Sequence, residues 1–158
     1  MTIQYLNKLK NRNTILGWKN EGLSIEEIVS LEEKFNNGNS FPRIYREYLF
    51  IAGKHCGIAI DQGLGFDWLQ KTSKDILLEY KQTINRPIFI FDQLDGCEQF
   101  GFFFLDDEKD NPNIYICNPF EHIEEGEPLY YPYNQKTFSE FISFLMDSAD
   151  SWDKYRNK

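Results

Sequence analysis

The chain is short of the residues that build covalent or metal-held frameworks. Among its 158 residues are three cysteines, Cys56, Cys97 and Cys117, and two histidines, His55 and His122. An odd number of widely spaced cysteines does not make a disulfide framework. A zinc site needs three or four ligands, and Cys117 with His122 and Cys97 as the obvious recruit is a thin set. Long apolar runs are also missing: nowhere do 18 apolar residues follow one another, so no membrane-spanning helix is expected. The first residues, Met1 to Lys8, lack the apolar stretch and small-residue cleavage site of a secretory signal. The Asn-x-Ser/Thr acceptor for glycosylation does not occur. Together these absences make the cytoplasm the expected location.

What is present suffices for a core. Apolar residues make up 41% and aromatics 16%, including 14 Phe and 9 Tyr. A domain of this length buries roughly 70% of its unfolded surface and needs no staple. Residues 1–158 are therefore expected to form one domain.

The net charge of −8 is unevenly distributed. The stretch 92–128 holds eleven acids, Asp92, Asp95, Glu98, Asp106, Asp107, Glu108, Asp110, Glu121, Glu124, Glu125 and Glu127, against the single base Lys109. Such a field repels nucleic acid and attracts cationic partners. Solvated, solubility-giving loops are the plainer explanation of the same residues.

Helical patterning is weak over Tyr5–Lys19 and strong afterwards. Ser24-Ile25-Glu26-Glu27 is a capping box, in which Ser and Glu satisfy each other's backbone donors. It opens a helix burying Ile28, Leu31 and Phe35 and stopping at Asn37-Gly38. Phe41-Pro42 begins a third helix with Tyr45, Tyr48, Leu49 and Ala52 on its apolar face. Thr72 or Ser73 is expected to cap a fourth, with Ile76, Leu77, Tyr80 and Ile84 inward and Pro87 ending it. The period then changes. Pro87–Phe91 and Phe100–Leu105 predict strands paired antiparallel about an Asp95-Gly96 turn. Asn113–Cys117 predicts a third strand stopped by Asn118-Pro119, and Gly57–Ile60 and Leu129–Tyr133 are weaker candidates. Thr137-Phe138-Ser139-Glu140 is a second capping box, opening a helix with Phe138, Phe141, Ile142, Leu145 and Met146 on one face. The order predicts an α+β fold, a twisted and mainly antiparallel sheet with helices packed against it.

Catalytic signals are weak. His55 beside Cys56 suggests a base and a nucleophile, but neighbours on a regular element point apart, and such pairs normally meet through the fold. Asp106-Asp107-Glu108-Lys109-Asp110-Asn111 has acids at alternate positions like a calcium loop. It lacks the turn glycine, and Cys117 stands where a bidentate Glu is needed. Gln62-Gly63-Leu64-Gly65-Phe66 lacks the third Gly or Lys-Ser/Thr of a phosphate cradle. No cofactor and no metal are expected, and the chain is not expected to be an enzyme; one acting on a small cationic or nucleotide ligand is the minor alternative. Trp68, beside Asp67 in a loop-like region, is the tryptophan best suited to anchor a partner.

The element order and several segments resemble the SUKH superfamily, which includes bacterial immunity proteins and the yeast regulator of cell-wall assembly. The resemblance covers about residues 15–147. It rests on Ile25–Phe35 with Glu32 and Glu33, on Phe41-Pro42-Arg43-Ile44-Tyr45-Arg46-Glu47-Tyr48-Leu49, on Phe103-Phe104-Leu105-Asp106 with Ile114-Tyr115-Ile116, and on Phe138-Ser139-Glu140-Phe141-Ile142-Ser143-Phe144-Leu145. Ala52-Gly53-Lys54-His55 and Cys117-Asn118 depart from the pattern, which has a Gly-Gly or Asn-Gly pair and a Trp at those places. The resemblance implies a non-enzymatic binder that neutralises a nuclease- or deaminase-type toxin; an intracellular regulatory or scaffold module is the alternative. On that reading the partner is a basic protein, with neither nucleic acid nor membrane involved. Its expected contacts are Asp106, Asp107, Glu108, Asp110, Glu121, Glu124, Glu125, Glu127 and Trp68.

Overall fold

The computed structural model describes residues 1–58, 60, 65–94 and 98–156, the last by its backbone alone. Its elements are α1 (Asn7–Lys10), β1 (Thr14–Ile15), β2 (Trp18–Lys19), α2 (Ile25–Phe35), α3 (Arg43–Ala52), α4 (Phe66–Glu79), β3 (Ile88–Leu94), β4 (Gln99–Phe104), β5 (Asn113–Cys117), α5 (Pro119–Glu125), β6 (Tyr130–Thr137) and α6 (Phe138–Arg156). The fold is α+β. Two compact units are present: Met1–Ala59 with Glu108–Asn111 and Thr137–Lys158, and Ile60–Asp107 with Pro112–Lys136.

The first unit is helical and is held by aromatic packing and two buried carboxylates. Both capping boxes form: Ser24 Oγ accepts from Glu27 N–H while Glu27 accepts from Ser24 N–H, and Thr137 and Glu140 do the same at α6. Tyr45 on α3 meets Phe138 on α6 edge-on at 5.4 Å, and Phe41 meets Tyr45 at 5.6 Å. The face expected of α2 is only partly buried, with Ile28 inside and Leu31 and Phe35 half-buried. Glu32, an acid the pattern places outside, is buried: it accepts from Phe41 N–H at 2.7 Å and pairs with Arg46 at 3.1 Å. Glu47 on α3 is fully buried and accepts from the backbone N–H groups of Gln4, Tyr5 and Leu6 at 2.7, 2.9 and 3.1 Å.

That clamp bears on the N-terminal segment, where the helix expected over Tyr5–Lys19 is corrected. Only Asn7–Lys10 is helical, and a hairpin pairing Thr14 with Lys19 and Ile15 with Trp18 follows. Leu16 (φ 52°) and Gly17 (φ 84°) turn it, and two residues at positive φ match the twist of a tight hairpin. The Gly57–Ile60 strand is absent among its described residues; instead His55 bridges Glu21 just before it. Gly57 packs so closely on β1 that an added Cβ would lie 2.0 Å from the carbonyl oxygen of Ile15. Because backbone is the obstacle, Gly57→Ala is expected to destabilise the protein by about 2 kcal/mol in urea unfolding, whereas an unchanged midpoint would contradict this packing.

The second unit carries the sheet, in the order β3-β4-β5-β6. β3 and β4 are antiparallel, from Ile88↔Phe104 to Leu94↔Gln99, with an irregularity between Ile90 and Asp92. β4 pairs antiparallel with β5. Asp95 and Gly96, the expected turn, lie outside the described residues. All of Phe100–Phe104 is buried, the continuous pattern of a strand covered on both faces. One face gathers Leu77, Ile90, Phe100, Phe102, Phe104 and Cys117; on the other, Phe89 and Phe91 stack on Phe103 at 5.7 and 6.1 Å. β6 is longer than the expected Leu129–Tyr133.

Helix α4 begins well before the expected cap, so Thr72 and Ser73 are interior. It also ends before Pro87, through a residue no glycine announces: Lys81 adopts φ 54°, and Lys81 and Gln82 N–H donate to the carbonyls of Leu78 and Leu77. This is a Schellman closure on a lysine. Along its buried side Gln70 reaches the outer strand of the sheet, donating from Nε2 to Ile90 O at 2.6 Å and accepting Ile90 N–H at 3.2 Å. The amide thus fills a hydrogen-bonding position on β3 that a neighbouring strand would otherwise take.

Candidate functional site

The acidic stretch does not act as one surface, because folding engages its members differently. Asp106 and Asp107 follow β4 and bind Arg86, whose guanidinium donates to Asp106 at 2.5 and 3.1 Å and to Asp107 at 2.7 Å. Arg86 also lies 3.8 Å above the Phe104 ring. The Arg86 hydrogen bonds, with its charge, hold the Asp106 carboxyl below its ordinary range. Asp110 is in the other unit, where its carboxylate accepts from Tyr5 OH at 3.3 Å and its carbonyl from Ile44 N–H at 3.0 Å. Asp92 is buried in β3. In this loop Asp106, Glu108, Lys109 and Asp110 are exposed, and Glu108 stands in a left-handed turn at φ 46°.

Of the remaining predicted acids, Glu121, Glu124 and Glu125 lie on α5 of the second unit and Glu127 just beyond its Gly126 cap, where the sequence predicts a strand stop and an acidic loop. The helix forms because Asn118 Oδ1 accepts from Glu121 N–H at 3.1 Å, Pro119 occupies the first turn and Gly126 closes it at φ 76°. The Asn-Pro pair with a glycine seven residues on is the signal that could have revealed it. His122 Nδ1–H donates to Glu127 O at 2.6 Å, tying the helix to the chain beyond.

This short helix is amphipathic in an unusual sense, since it presents apolar side chains to solvent. Phe120 and Ile123 are 42% and 48% exposed. Residues three and four apart share a helix face, so Phe120, Ile123 and Glu124 lie together. Two tyrosines sit within the field of these acids. Tyr80 is raised from its ordinary value by burial, and then by the nearby carboxylates of Glu98, Glu79 and Glu124. Tyr131 is raised by burial and by Glu121 and Glu127. Both phenols therefore stay protonated and able to donate. Phe120, Ile123, Tyr80 and Tyr131 are site residues the sequence reading did not single out. Trp68 is exposed in the first turn of α4, and among the described residues no hydrogen bond, ion pair or ring contact joins it to the α5 group.

Cys56 is buried and donates from Sγ to Asn20 Oδ1 at 3.1 Å. Burial raises its thiol above the ordinary value, the reverse of what a nucleophile needs. The His55 ring is 5.0 Å from that of Trp18. Cys117 is buried in β5, and burial pushes its thiol up to about 12. Cys97 and Gln62-Gly63-Leu64 lie outside the described residues. Among the described residues no group of three His, Cys, Asp or Glu side chains is placed to hold a metal, and no helix is long and apolar enough to cross a membrane.

No protein-family model, curated protein or solved structure matches the chain. The site is therefore read from its own geometry: an apolar pair on a helix, bordered by carboxylates and by neutral phenols.

Proposed function

We propose that the chain is a non-enzymatic, cytoplasmic protein-binding module of the SUKH type, an immunity protein that neutralises a basic nuclease- or deaminase-type toxin by covering its active surface. The observation that carries this reading is α5, with Phe120 and Ile123 exposed among Glu121, Glu124, Glu125 and Glu127. An apolar anchor surrounded by charge of one sign suits a partner surface that is basic around an apolar recess. The carboxylates speed encounter and select the partner, and the apolar contact holds it. Asp106, Asp107 and Asp110, already engaged within the fold, play a structural part in this scheme. Glu108 contributes at most long-range field.

The experiment is capture from native lysate with the tagged chain at low salt and at about 0.5 M salt, where exposed charge pairs are screened. The captured protein is then assayed for nuclease or deaminase activity with and without the chain. Expected is one basic protein, inhibited on binding and released at high salt. The combined variant Phe120→Asp, Glu124→Lys and Glu125→Lys is expected to bind it at least about 100-fold more weakly. Glu26→Lys with Glu33→Lys on α2 is expected to bind normally. Undiminished binding by the α5 variant would sink the assignment of the site, and a captured protein whose activity is unaffected would sink the toxin reading.

A further inference from the structure

The turn that ends α2 brings together the two groups of a spontaneous backbone reaction. Asn37 is the only asparagine in the chain followed by a glycine. It stands at φ 52°, just past the Asn36 cap, and Gly38 follows at φ 79°. Asparagine tolerates this left-handed position better than most residues. Both residues are exposed, and a Cβ built on Gly38 would meet nothing within 4 Å. The neighbouring amides are held. Asn36 Nδ2 donates to Asn39 O at 2.9 Å and to Ser40 O at 3.2 Å, and Asn39 Nδ2 donates to Asn36 O at 3.1 Å. Among the described residues no hydrogen bond holds the Asn37 carboxamide. Gly38 N–H, the other reactant, donates to Glu32 O at 3.0 Å, a carbonyl that already accepts Asn36 N–H at 2.9 Å. That shared bond lies at a helix end, where backbone opens most readily.

We infer that Asn37 is a site of spontaneous deamidation and isomerisation, and that the fold sets its rate through the Gly38–Glu32 hydrogen bond. When that bond opens, the Gly38 nitrogen gives its proton to hydroxide and attacks Asn37 Cγ. The new N–C bond forms, the bond from Cγ to Nδ2 breaks, and Nδ2 takes a proton from water and leaves as ammonia. A glycine nitrogen suits the attack because no Cβ obstructs its approach. Water then opens the resulting cyclic imide. Hydrolysis at the side-chain carbonyl gives aspartate, and at the main-chain carbonyl it gives isoaspartate, whose backbone runs through Cβ and Cγ. The two products act differently on α2. Aspartate keeps the main chain and adds a charge at the negative end of the helix dipole. Isoaspartate lengthens the main chain by a methylene between Asn36 and Gly38, so Gly38 N–H no longer returns to Glu32 O. The same loop delivers Phe41 N–H to the buried Glu32 carboxylate at 2.7 Å, so isomerisation loosens the connection from α2 to α3.

The full chain is held for weeks at physiological temperature, at neutral and at mildly alkaline pH, folded and in urea. Proteolytic peptides are then weighed, with isoaspartate distinguished from aspartate by fragmentation. The peptide spanning Asn37 is expected to exchange its amide for an acid before any other asparagine peptide does. Conversion is expected to be faster at alkaline pH, which deprotonates the attacking amide, and faster again in urea, which removes the Gly38–Glu32 bond. Asn37→Lys is the blocking control, because Lys81 shows that lysine can close a helix of this chain at φ 54°. That variant is expected to form no isoaspartate in this segment. An Asn37 that stays intact in the folded chain while it converts in urea overturns the inference, as does another asparagine converting first. Equal rates in folded and unfolded chain overturn the control by the hydrogen bond. The isoaspartyl fraction, separated by ion exchange, is expected to show faster amide exchange at Gly38 and Phe41. Unchanged exchange at both would overturn the loosening of the α2–α3 connection.

Discussion

Replacing Glu47 with alanine is expected to destabilise the protein by about 4 kcal/mol, the scale of breaking a buried ion pair. Its carboxylate receives three backbone donors from Gln4, Tyr5 and Leu6, and Arg43 Nε at 3.1 Å. An apolar side chain removes the acceptor of all four at once, and the buried Leu6 N–H is then left without water or a partner. The same geometry sets a pH dependence. Burial alone would raise the Glu47 carboxyl, but the backbone N–H groups and Arg43 together outweigh it and hold it below its ordinary value. A folded value below the unfolded one, about 4.3 for glutamate, means that this stabilisation is present above that pH and is lost as pH falls through the folded value. The difference between Glu47→Gln and the unsubstituted protein should therefore be largest near neutrality and shrink below about pH 4. Urea unfolding across that range measures it, and amide exchange at Gln4, Tyr5 and Leu6 reports the clamp directly. Fast exchange at these three amides in the unsubstituted protein at neutral pH would show that the clamp does not form.

The second large effect concerns the edge of the sheet. Gln70→Leu preserves volume and apolar packing on α4 but leaves Ile90 N–H and C=O without their side-chain partner in a buried setting. About 3 kcal/mol of destabilisation is expected, from roughly 1–3 kcal/mol for each abandoned backbone group. Aggregation should increase as well, since an uncapped strand edge can pair with another chain. Ser73 supplies the control from the same helix. It is also buried, but among the described residues its Oγ has no hydrogen-bond partner, so Ser73→Ala should be neutral or stabilise by up to about 1 kcal/mol. Equal losses for the two variants in urea unfolding would show that burial, and not the Ile90 contact, governs Gln70.

These two residues show where pattern reading stops. Glu47 and Gln70 are polar residues in helices, and periodicity assigns such residues to the solvent face. Their burial depends on what arrives from elsewhere in the chain, residues 4–6 for one and a strand twenty residues away for the other. Elements marked by a local chemical device form as the sequence predicts: both capping boxes, the Pro42 entry to α3 and the paired aromatic strands β3 and β4. Structure and pattern part where the device is absent or divided. Lys81 closes α4 in a conformation that glycine usually announces. The weak pattern of Tyr5–Lys19 gave way to a hairpin, and Asn118-Pro119 both ends a strand and begins a helix.

The site divides in the same way. Composition located the excess of acid in residues 92–128, because charge is a sum over side chains and needs no geometry. Which carboxylates are free to meet a partner could not be read, since that depends on Arg86 reaching Asp106 and Asp107, on Tyr5 reaching Asp110, and on α5 turning Phe120 and Ile123 outward. By itself the sequence determined the α+β class, most of its helices and strands, and the sign and position of its charge, all of which follow from short-range chemistry. The tertiary structure alone decided which polar groups are buried, which acids are already paired, and which apolar side chains remain in water, because each of these depends on contacts between residues distant in the chain.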